Sequence, residues 1–217
     1  MAITLVIGNK NYSSWSLRPW LLLRHHGVPF TELRLLLDTP GFHAQVARWS
    51  PSRRVPALHD DALVVWDSLA ICEYANERWL DGKGWPADIA LRALARCAAA
   101  EMHSGFGALR SQLPMNVRRQ PREPHWDANA DTDIARVQEL WRNLRTRSGE
   151  GGPFLCGDHF GIVDAMFAPV CLRFRGYGVP LDAGAQSYLQ AIFALPAMHE
   201  WEVAALAETE RVASDEA

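Results

Sequence analysis

The chain has 217 residues, of which 48% are hydrophobic and 22% charged, and its formal net charge is -3. This length fits one large domain or two small ones, and the composition excludes a disordered chain. Without a basic surplus we expect no nucleic-acid partner. The start of the chain lacks the basic segment and cleavage site of a secretory signal, and no apolar run approaches about 20 residues. We therefore predict a cytoplasmic protein that does not enter membranes.

The first eighty residues mix strand and helix patterns. A β-branched run at residues 3–7 predicts a buried strand, and a helix is expected to follow it. Pro19 is tolerable only in the first turn of that helix, and Gly27 is placed to end it. Alternating apolar and polar residues predict a second strand over residues 30–37. An irregular or helical piece is expected at residues 42–49.

A hairpin and a helix are expected to complete this half. Residues 56–59 and 62–66 read as strands, and two aspartates between them favour a tight turn. A helix is then predicted from Asp67 to about Leu80. The predicted order is strand, helix, strand, an irregular link, two strands and a helix.

The second half of the sequence predicts helices only. Residues 80–88, LDGKGWPAD, are rich in turn formers and mark a linker. Residues 89–113 are alanine-rich and predict one long helix, whose last turns two glycines weaken. Apolar residues at helical spacing over 134–144 predict a second helix. Two or three more helices follow, with breaks near residues 176–180 and at Pro196.

The cysteines show no pattern typical of a metal site or a disulfide. They form no C-x-x-C pair and have no metal-ligand spacing with histidine. In a reducing compartment we therefore expect buried apolar thiols and no bound metal. The four are Cys72, Cys97, Cys156 and Cys171.

Two short motifs carry chemical information. In RRVPAL, Pro56 heads a hairpin strand after a β-branched residue, where a thioredoxin-like fold has a cis peptide bond; an ordinary edge-strand proline is the alternative. In WDSLAICEY, Asp67 and Ser68 start a helix. Such residues are common helix caps. The same helix start also favours a carboxylate ligand, and an adjacent acidic side chain favours an ammonium, so an α-amino acid end group fits both.

The chain resembles the cytosolic glutathione transferases in the order of its motifs. These are the serine-rich turn NYSSWSLRPWLL, VPAL, DSLAICEY and an all-helical second half. The first of these motifs and AEMHSGFGALRSQLPMN look like a bacterial serine-type group related to the zeta and tau-like classes. The resemblance covers nearly the whole chain. It implies an α/β thioredoxin-like glutathione-binding domain at residues 1–81, an all-α helical domain at 88–217, a homodimer, and glutathione as co-substrate.

The resemblance also implies which residues bind glutathione. Asp67 and Ser68 would receive its γ-glutamyl end, and the backbone of Val55, oriented by Pro56, would pair with its cysteinyl unit as an added strand. Arg54 would bind the glycyl carboxylate, at a position where the family usually has lysine.

One serine is predicted to activate the glutathione thiol. In serine-type members the catalytic hydroxyl lies five residues before an arginine of the first helix, and this spacing selects Ser13, with Arg18. Judged without the family, the favoured interpretation of Ser13 is a helix cap, and a catalytic hydroxyl is the alternative. Ser14, Ser16 and Tyr12 remain alternative donors. A hydroxyl donor and a helix N-terminus both lower the pKa of a thiol.

The electrophile is expected to bind between the serine-rich turn and the helix at residues 101–110. The candidates either line this pocket or, as is common for apolar residues at helical spacing, belong to the core. They are Tyr12, Trp15, Met102, His103, Phe106 and Arg110. His103 and Arg110 would suit an anionic substrate.

These observations favour a glutathione transferase that acts on a small electrophile or a hydroperoxide. A zeta-like maleylacetoacetate-type isomerase is an alternative, weakened because Trp15 stands where the zeta pattern has cysteine. A non-catalytic glutathione-binding module is the other. Asp164 resembles the family's helix-capping aspartate, with Gly161 where serine or threonine usually completes the cap.

Overall fold

The computed structural model describes residues 3–121, 125–149 and 151–216. Its first half alternates strands and helices in the predicted order, so that prediction is confirmed. The elements are β1 (Ile3–Ile7), α1 (Ser14–His25), β2 (Phe30–Arg34), α2 (Phe42–Val46), β3 (Ala57–Asp60), β4 (Leu63–Trp66) and α3 (Ser68–Arg78).

The four strands form one mixed sheet in the order β2-β1-β3-β4. β1 pairs parallel with β2 and antiparallel with β3, and β3 and β4 form the predicted hairpin. Alternate side chains of β1 point to opposite faces of the sheet. Leu5 and Ile7 join the main core, whereas Val6 packs in a smaller cluster with Val46 of α2. Both faces of β1 are therefore covered, which explains its unbroken apolar run.

The second half is helical, as predicted. Its elements are α4 (Ile89–Ser104), α5 (Gly107–Gln112), α6 (Ala128–Arg147), α7 (Ile162–Tyr177), α8 (Ala183–Phe193), α9 (Pro196–Ala207) and a 3-10 helix (Ala213–Asp215). The prediction of one helix over 89–113 is wrong. Phe106 takes the left-handed conformation, with a φ of 59°, between two glycines, so α4 ends and α5 starts in a new direction.

The first helix, α1, joins the two halves. It contacts α3 in the first half and α7 and α9 in the second. Pro19 lies in its second turn, not in the first as predicted. A proline there costs about 3 kcal/mol, and the burial of Leu17, Trp20 and Leu21 offsets that cost at about 1.5 to 3 kcal/mol each. Gly27, at a φ of 69°, ends the helix as predicted.

The start of α7 explains the unusual glycine of its cap. The Asp164 carboxylate accepts hydrogen bonds from the backbone N–H groups of Leu155 and Gly161, at 3.0 and 2.9 Å. A Cβ atom on Gly161 would lie 2.7 Å from the carbonyl oxygen of Gly84. That oxygen accepts the N–H of Ile162. The linker therefore occupies the space that a serine or threonine cap needs.

Candidate active site

A cavity of about 390 Å³ lies between the serine-rich turn and the helical half. The N-terminal wall combines the start of α1 with the loop before β3, and the opposite wall combines α5, α7 and the C-terminal segment. Half of the predicted site residues line it, and the structure thereby brings them together. These are Tyr12, Ser13, Trp15, Arg54, Val55 and Arg110.

Ser13 occupies the N-cap position of α1, but its side chain makes no capping hydrogen bond. Its buried hydroxyl lies 2.7 Å from the hydroxyl oxygen of Ser16. Ser16 is fully buried and accepts a hydrogen bond of 3.1 Å from the backbone N–H of Gly8. Ser16 therefore holds Ser13 at the cavity wall, while the N–H groups of the first helical turn face the same region.

The other hydroxyl groups of the turn have different surroundings. Ser14 Oγ accepts a hydrogen bond of 3.3 Å from Arg173 of α7. The Tyr12 hydroxyl donates to the Glu216 carboxylate and accepts from Arg118. Burial raises the pKa of Tyr12, and the hydrogen bond to Glu216 raises it further. A tyrosine in this state is a poor donor to a thiolate.

The loop before β3 forms the side of the cavity next to Ser13. The Val55–Pro56 peptide bond is cis, as predicted. Val55 and the exposed side chain of Arg54 both line the cavity. Pro56 is buried behind them.

Asp67 and Ser68 lie outside the lining of this cavity. Asp67 caps α3, since its Oδ1 accepts the N–H groups of Leu69 and Ala70 at 2.9 and 3.2 Å. Its Oδ2 lies 2.6 Å from Nε2 of His103. Ser68 is buried, and its hydroxyl accepts from Nη1 of Arg18 at 3.3 Å. The Asp67 carboxylate is about two-fifths exposed, at 39%, so one side of it stays open to solvent.

Of the residues predicted to bind the electrophile, three are not in the cavity lining. Met102 is fully buried and Phe106 nearly so, and both belong to the main core. His103 points to Asp67 and packs edge-on against Trp15, with 5.3 Å between the ring centroids. Tyr12, Trp15 and Arg110 remain in the lining.

The sequence did not single out Arg173 or Asp215, which also line the cavity. Arg173 comes from α7, 159 positions after Ser14, and Asp215 from the C-terminal 3-10 helix. One local signal was available for Arg173, because it stands in an otherwise apolar helical run. Asp215 lies in a short polar segment that gives no such signal.

The guanidinium groups of Arg110 and Arg173 line the cavity, and that of Arg18 lies against the ring of Trp15. Arg18 and Arg110 stack on Trp15, with the guanidinium carbons 4.2 and 4.6 Å from its ring centroid. Burial lowers the pKa of Arg18, and the charges of Arg110 and Arg173 lower it further. Burial, reinforced by Arg110, lowers the pKa of Arg173 to about 10. All three groups nevertheless stay protonated at neutral pH.

Two other kinds of site are absent among the residues that the structure describes. No group of three His, Cys, Asp or Glu side chains there is arranged to hold a metal ion. Within the same residues, none of the helices has the length and apolarity needed to span a bilayer.

Comparison with known proteins agrees with the fold. Residues 12–78 match the family model "Glutathione S-transferase, N-terminal domain", and residues 90–202 match "Glutathione S-transferase, C-terminal domain". The rat maleylacetoacetate isomerase is 26% identical over 174 residues, which are 80% of this chain and 78% of the rat protein. A zeta class glutathione S-transferase from Euphorbia esula is 26% identical, over 72% of this chain and 70% of its own.

Solved structures show the same architecture. A glutathione transferase homologue from Burkholderia, with bound glutathione, aligns with a TM-score of 0.66 at 23% identity, covering 96% of this chain and 100% of its own. The tau class enzyme of mango, Mangifera indica, aligns with a TM-score of 0.71 at 19% identity, covering 93% and 92%. The fold is therefore the predicted one, a thioredoxin-like domain followed by an all-α domain. With a family model matching more than half of its length, the chain belongs to the glutathione S-transferase family.

Proposed function

We propose that this protein is a glutathione transferase in which Ser13 stabilises the glutathione thiolate for attack on a small electrophile. One observation carries the proposal. The Ser13 hydroxyl lies at the cavity wall beside the N-terminus of α1, and it is not used as a helix cap. Its hydrogen is therefore available to a ligand in the cavity.

A short hydrogen-bond chain supports the direction of that donation. The Gly8 N–H donates to Ser16 Oγ, which leaves the Ser16 hydroxyl free to donate to Ser13 Oγ, 2.7 Å away. In this arrangement Ser13 donates its own hydrogen to the sulfur. Successive hydrogen bonds of this kind polarise one another. Ser16 then acts as a positioning residue that fixes which way the Ser13 hydroxyl points.

The alternative donors have less favourable surroundings. Ser14 also reaches the cavity, but its oxygen accepts from Arg173 and no second serine orients its hydrogen. The Tyr12 hydroxyl already donates to Glu216, and its pKa is raised. Ser16 is fully buried behind Ser13. We therefore keep Ser13 as the donor and expect smaller contributions from the other three.

Glutathione would supply the thiol, and this chain would hold the rest of the tripeptide. Val55 and Arg54 line the cavity next to Ser13, which suits pairing with the cysteinyl unit and binding of the glycyl carboxylate. The open side of the Asp67 carboxylate suits the γ-glutamyl ammonium. Ser68 would assist through its N–H at the start of α3. Trp15 and Arg110 would contact the electrophile.

The proposed reaction needs no metal or additional cofactor. The sulfur bonds to an electron-poor carbon of the electrophile, and the leaving group departs with its bonding electrons. The thiol proton passes to solvent when glutathione binds. Ser13 keeps the sulfur anionic until the attack, since a hydroxyl donor favours the charged form of its acceptor.

A second candidate reaction is a zeta-like isomerisation of maleylacetoacetate. The rat and mouse maleylacetoacetate isomerases support it, at 26% and 24% identity over 80% of this chain. Trp15 stands at the position where the zeta pattern has cysteine, and this difference counts against the isomerisation. Reduction of hydroperoxides by the same thiolate and a non-catalytic binding module are further alternatives.

One set of measurements separates these functions. Calorimetric titration with glutathione tests binding, and turnover of 1-chloro-2,4-dinitrobenzene, cumene hydroperoxide and maleylacetoacetate tests the three reactions. We expect glutathione binding and conjugation of the aromatic electrophile. Binding with no turnover of any substrate would support the non-catalytic module, and absence of glutathione binding would overturn the proposal.

A further inference from the structure

Resting on this proposed function, we propose that the electrophile carries a carboxylate, held by Arg173 with help from Arg110. These two residues line the cavity on the side opposite the loop with Val55. The substrate class would thus be small anionic electrophiles. Arg173 would be a specificity-determining residue that touches substrate without taking part in the chemical step.

Arg173 is a buried cation whose direct hydrogen-bond acceptors include no carboxylate. Its side chain is 6% exposed, and its three nitrogens donate to the carbonyls of Leu113 and Pro169 and to the hydroxyl of Ser14. All three acceptors are neutral. A buried charge without a direct ion pair is costly, and Asp215 acts on Arg173 only at longer range, so an anion in the cavity would relieve that cost.

Arg110 faces the same cavity in a similar state. Its Nη2 donates to the carbonyl oxygens of Met102 and His103, and its Nε has no acceptor among the described residues. Its guanidinium is held against the ring of Trp15. The side chain is therefore held in place, yet it keeps donor capacity for a ligand.

Burial distinguishes Arg18 and Arg173 from the other arginines that the structure describes, since both are buried, while Arg110 is half-buried. Across the described residues, no ion pair within 4.0 Å includes Arg18, Arg110 or Arg173. Other arginines are paired with glutamates, as are Arg136 with Glu101 and Arg175 with Glu202. Arg110 and Arg173 in the cavity lining, with Arg18 against the ring of Trp15, thus concentrate positive potential there, which favours an anionic ligand.

One carboxylate of the protein also lines the cavity, that of Asp215. Asn116 holds its backbone by donating to the Asp215 carbonyl oxygen, and Arg118 holds the preceding segment through the carbonyls of Glu208 and Glu210. Asp215 partly neutralises Arg173 and would repel an incoming anion. Its removal should therefore strengthen binding of an anionic electrophile.

A carboxylate fits better than a larger anion. The planar fork of a guanidinium matches the two oxygens of a carboxylate, and the cavity of about 390 Å³ must hold part of glutathione as well. The glycyl carboxylate of glutathione is the competing ligand for Arg173. Separate measurement of glutathione affinity distinguishes the two.

The test uses a matched pair of electrophiles, 4-chloro-3-nitrobenzoate and its methyl ester. In both, the sulfur bonds to the carbon that bears chlorine, and chloride leaves with the electron pair. Each rate is divided by the rate with free glutathione, which removes the difference in intrinsic reactivity. We expect the wild-type protein to show the lower KM for the acid.

Arg173→Met should raise the KM for the acid about 10- to 100-fold, as expected for loss of a charge-assisted hydrogen bond. The KM for the ester and the affinity for glutathione should change less than about threefold. Arg173→Lys should restore part of the preference, because it keeps the charge. The matched control is Arg175→Met, on the same helix but paired with Glu202. Asp215→Asn should lower the KM for the acid about two- to fivefold.

Three results would overturn the inference while leaving the proposed function intact. The first is turnover of the ester by the wild-type protein with no preference for the acid. The second is an equal rise in KM for both electrophiles in Arg173→Met. The third is that weaker glutathione binding is the main effect of Arg173→Met. If neither electrophile is turned over, calorimetry with the unreactive 3-nitrobenzoate in the presence of S-methylglutathione decides the inference. The proposed function fails only if 1-chloro-2,4-dinitrobenzene is not turned over either. If Arg173→Met does not fold, the Asp215→Asn variant decides the inference. An unchanged KM for the acid in that variant would contradict the expected repulsion between Asp215 and the substrate carboxylate.

Discussion

Replacing Ser13 by alanine tests the proposed thiolate donor directly. The substitution removes one hydrogen bond to a charged acceptor, which contributes about 1.5 to 3 kcal/mol. One pKa unit corresponds to about 1.4 kcal/mol, so the pKa of the bound thiol should rise by about one to two units. Glutathione affinity should change little, because Val55, Arg54 and Asp67 are proposed to hold the peptide.

The structure also limits the effect of this substitution on stability. Ser13 makes no capping bond, and its side chain has one hydrogen bond, to Ser16. Its loss should lower the free energy of unfolding by about 1 kcal/mol. Ser16→Ala should raise the thiol pKa by less than Ser13→Ala, since it frees the Ser13 hydroxyl without removing it.

The assay follows the ultraviolet absorbance of the bound thiolate against pH in the wild type and in Ser13→Ala, Ser14→Ala, Ser16→Ala and Tyr12→Phe. Ser148→Ala is the control, because its hydroxyl bonds only the Arg145 carbonyl at the end of α6. An unchanged titration in Ser13→Ala, with a shift in Ser14→Ala or Tyr12→Phe, would refute the choice of donor. A shift in none of the variants would assign the activation to the helix N-terminus.

Further predictions concern glutathione binding, folding and assembly. Asp67→Asn keeps an oxygen to cap α3 but removes the charge. Calorimetry should therefore show glutathione binding weakened by about 1.5 to 3 kcal/mol, with little change in Tm. An unchanged affinity would mean that Asp67 is only a helix cap. Gly161→Ser should destabilise the fold by about 1 to 3 kcal/mol in urea unfolding, because the serine Cβ would lie 2.7 Å from the Gly84 oxygen. This loss is expected although serine is the better cap, and a gain in stability would contradict it. Burial raises the pKa of Asp164 to about 6, so its contribution to stability should decline as pH rises from about 4 to 6, and Asp164→Ala should remove that dependence in unfolding curves measured across this range. Sedimentation at micromolar concentration should give a homodimer of about twice the 24.3 kDa chain mass, since apolar side chains of β4 and α4 such as Trp66 and Ile89 are exposed; a mass near that of one chain would refute it.

Local patterns in the sequence determined most of the secondary structure. The β-branched run of residues 3–7, the turn before β4 and the capping Asp67 act through neighbours in the chain, so they are readable without the fold. The same local reading failed at Pro19 and Phe106. At Pro19 the packing of α1 outweighs the cost of proline, and at Phe106 the flanking glycines allow a left-handed turn that ends the helix.

The motifs also located part of the candidate site. NYSSWS and RRVPAL identified Ser13, Arg54 and Val55, which line one cavity because two loops at the same edge of the sheet carry them. The sequence alone could not decide whether the Ser13 hydroxyl caps its helix, because capping depends on angles and distances within the folded turn. The structure shows that it bonds Ser16 instead.

Only the tertiary structure decided which charges lie at the cavity. His103, chosen from its helical spacing, turns to Asp67, while Arg173 reaches Ser14 across 159 positions of sequence. Asp215 reaches the same cavity because Asn116 and Arg118 hold the C-terminal segment. The sequence by itself determined the two-part fold and the serine-rich turn, since these follow from local pattern and motif order. The cationic cavity depends on contacts between distant segments, and such contacts exist only after the helices have packed.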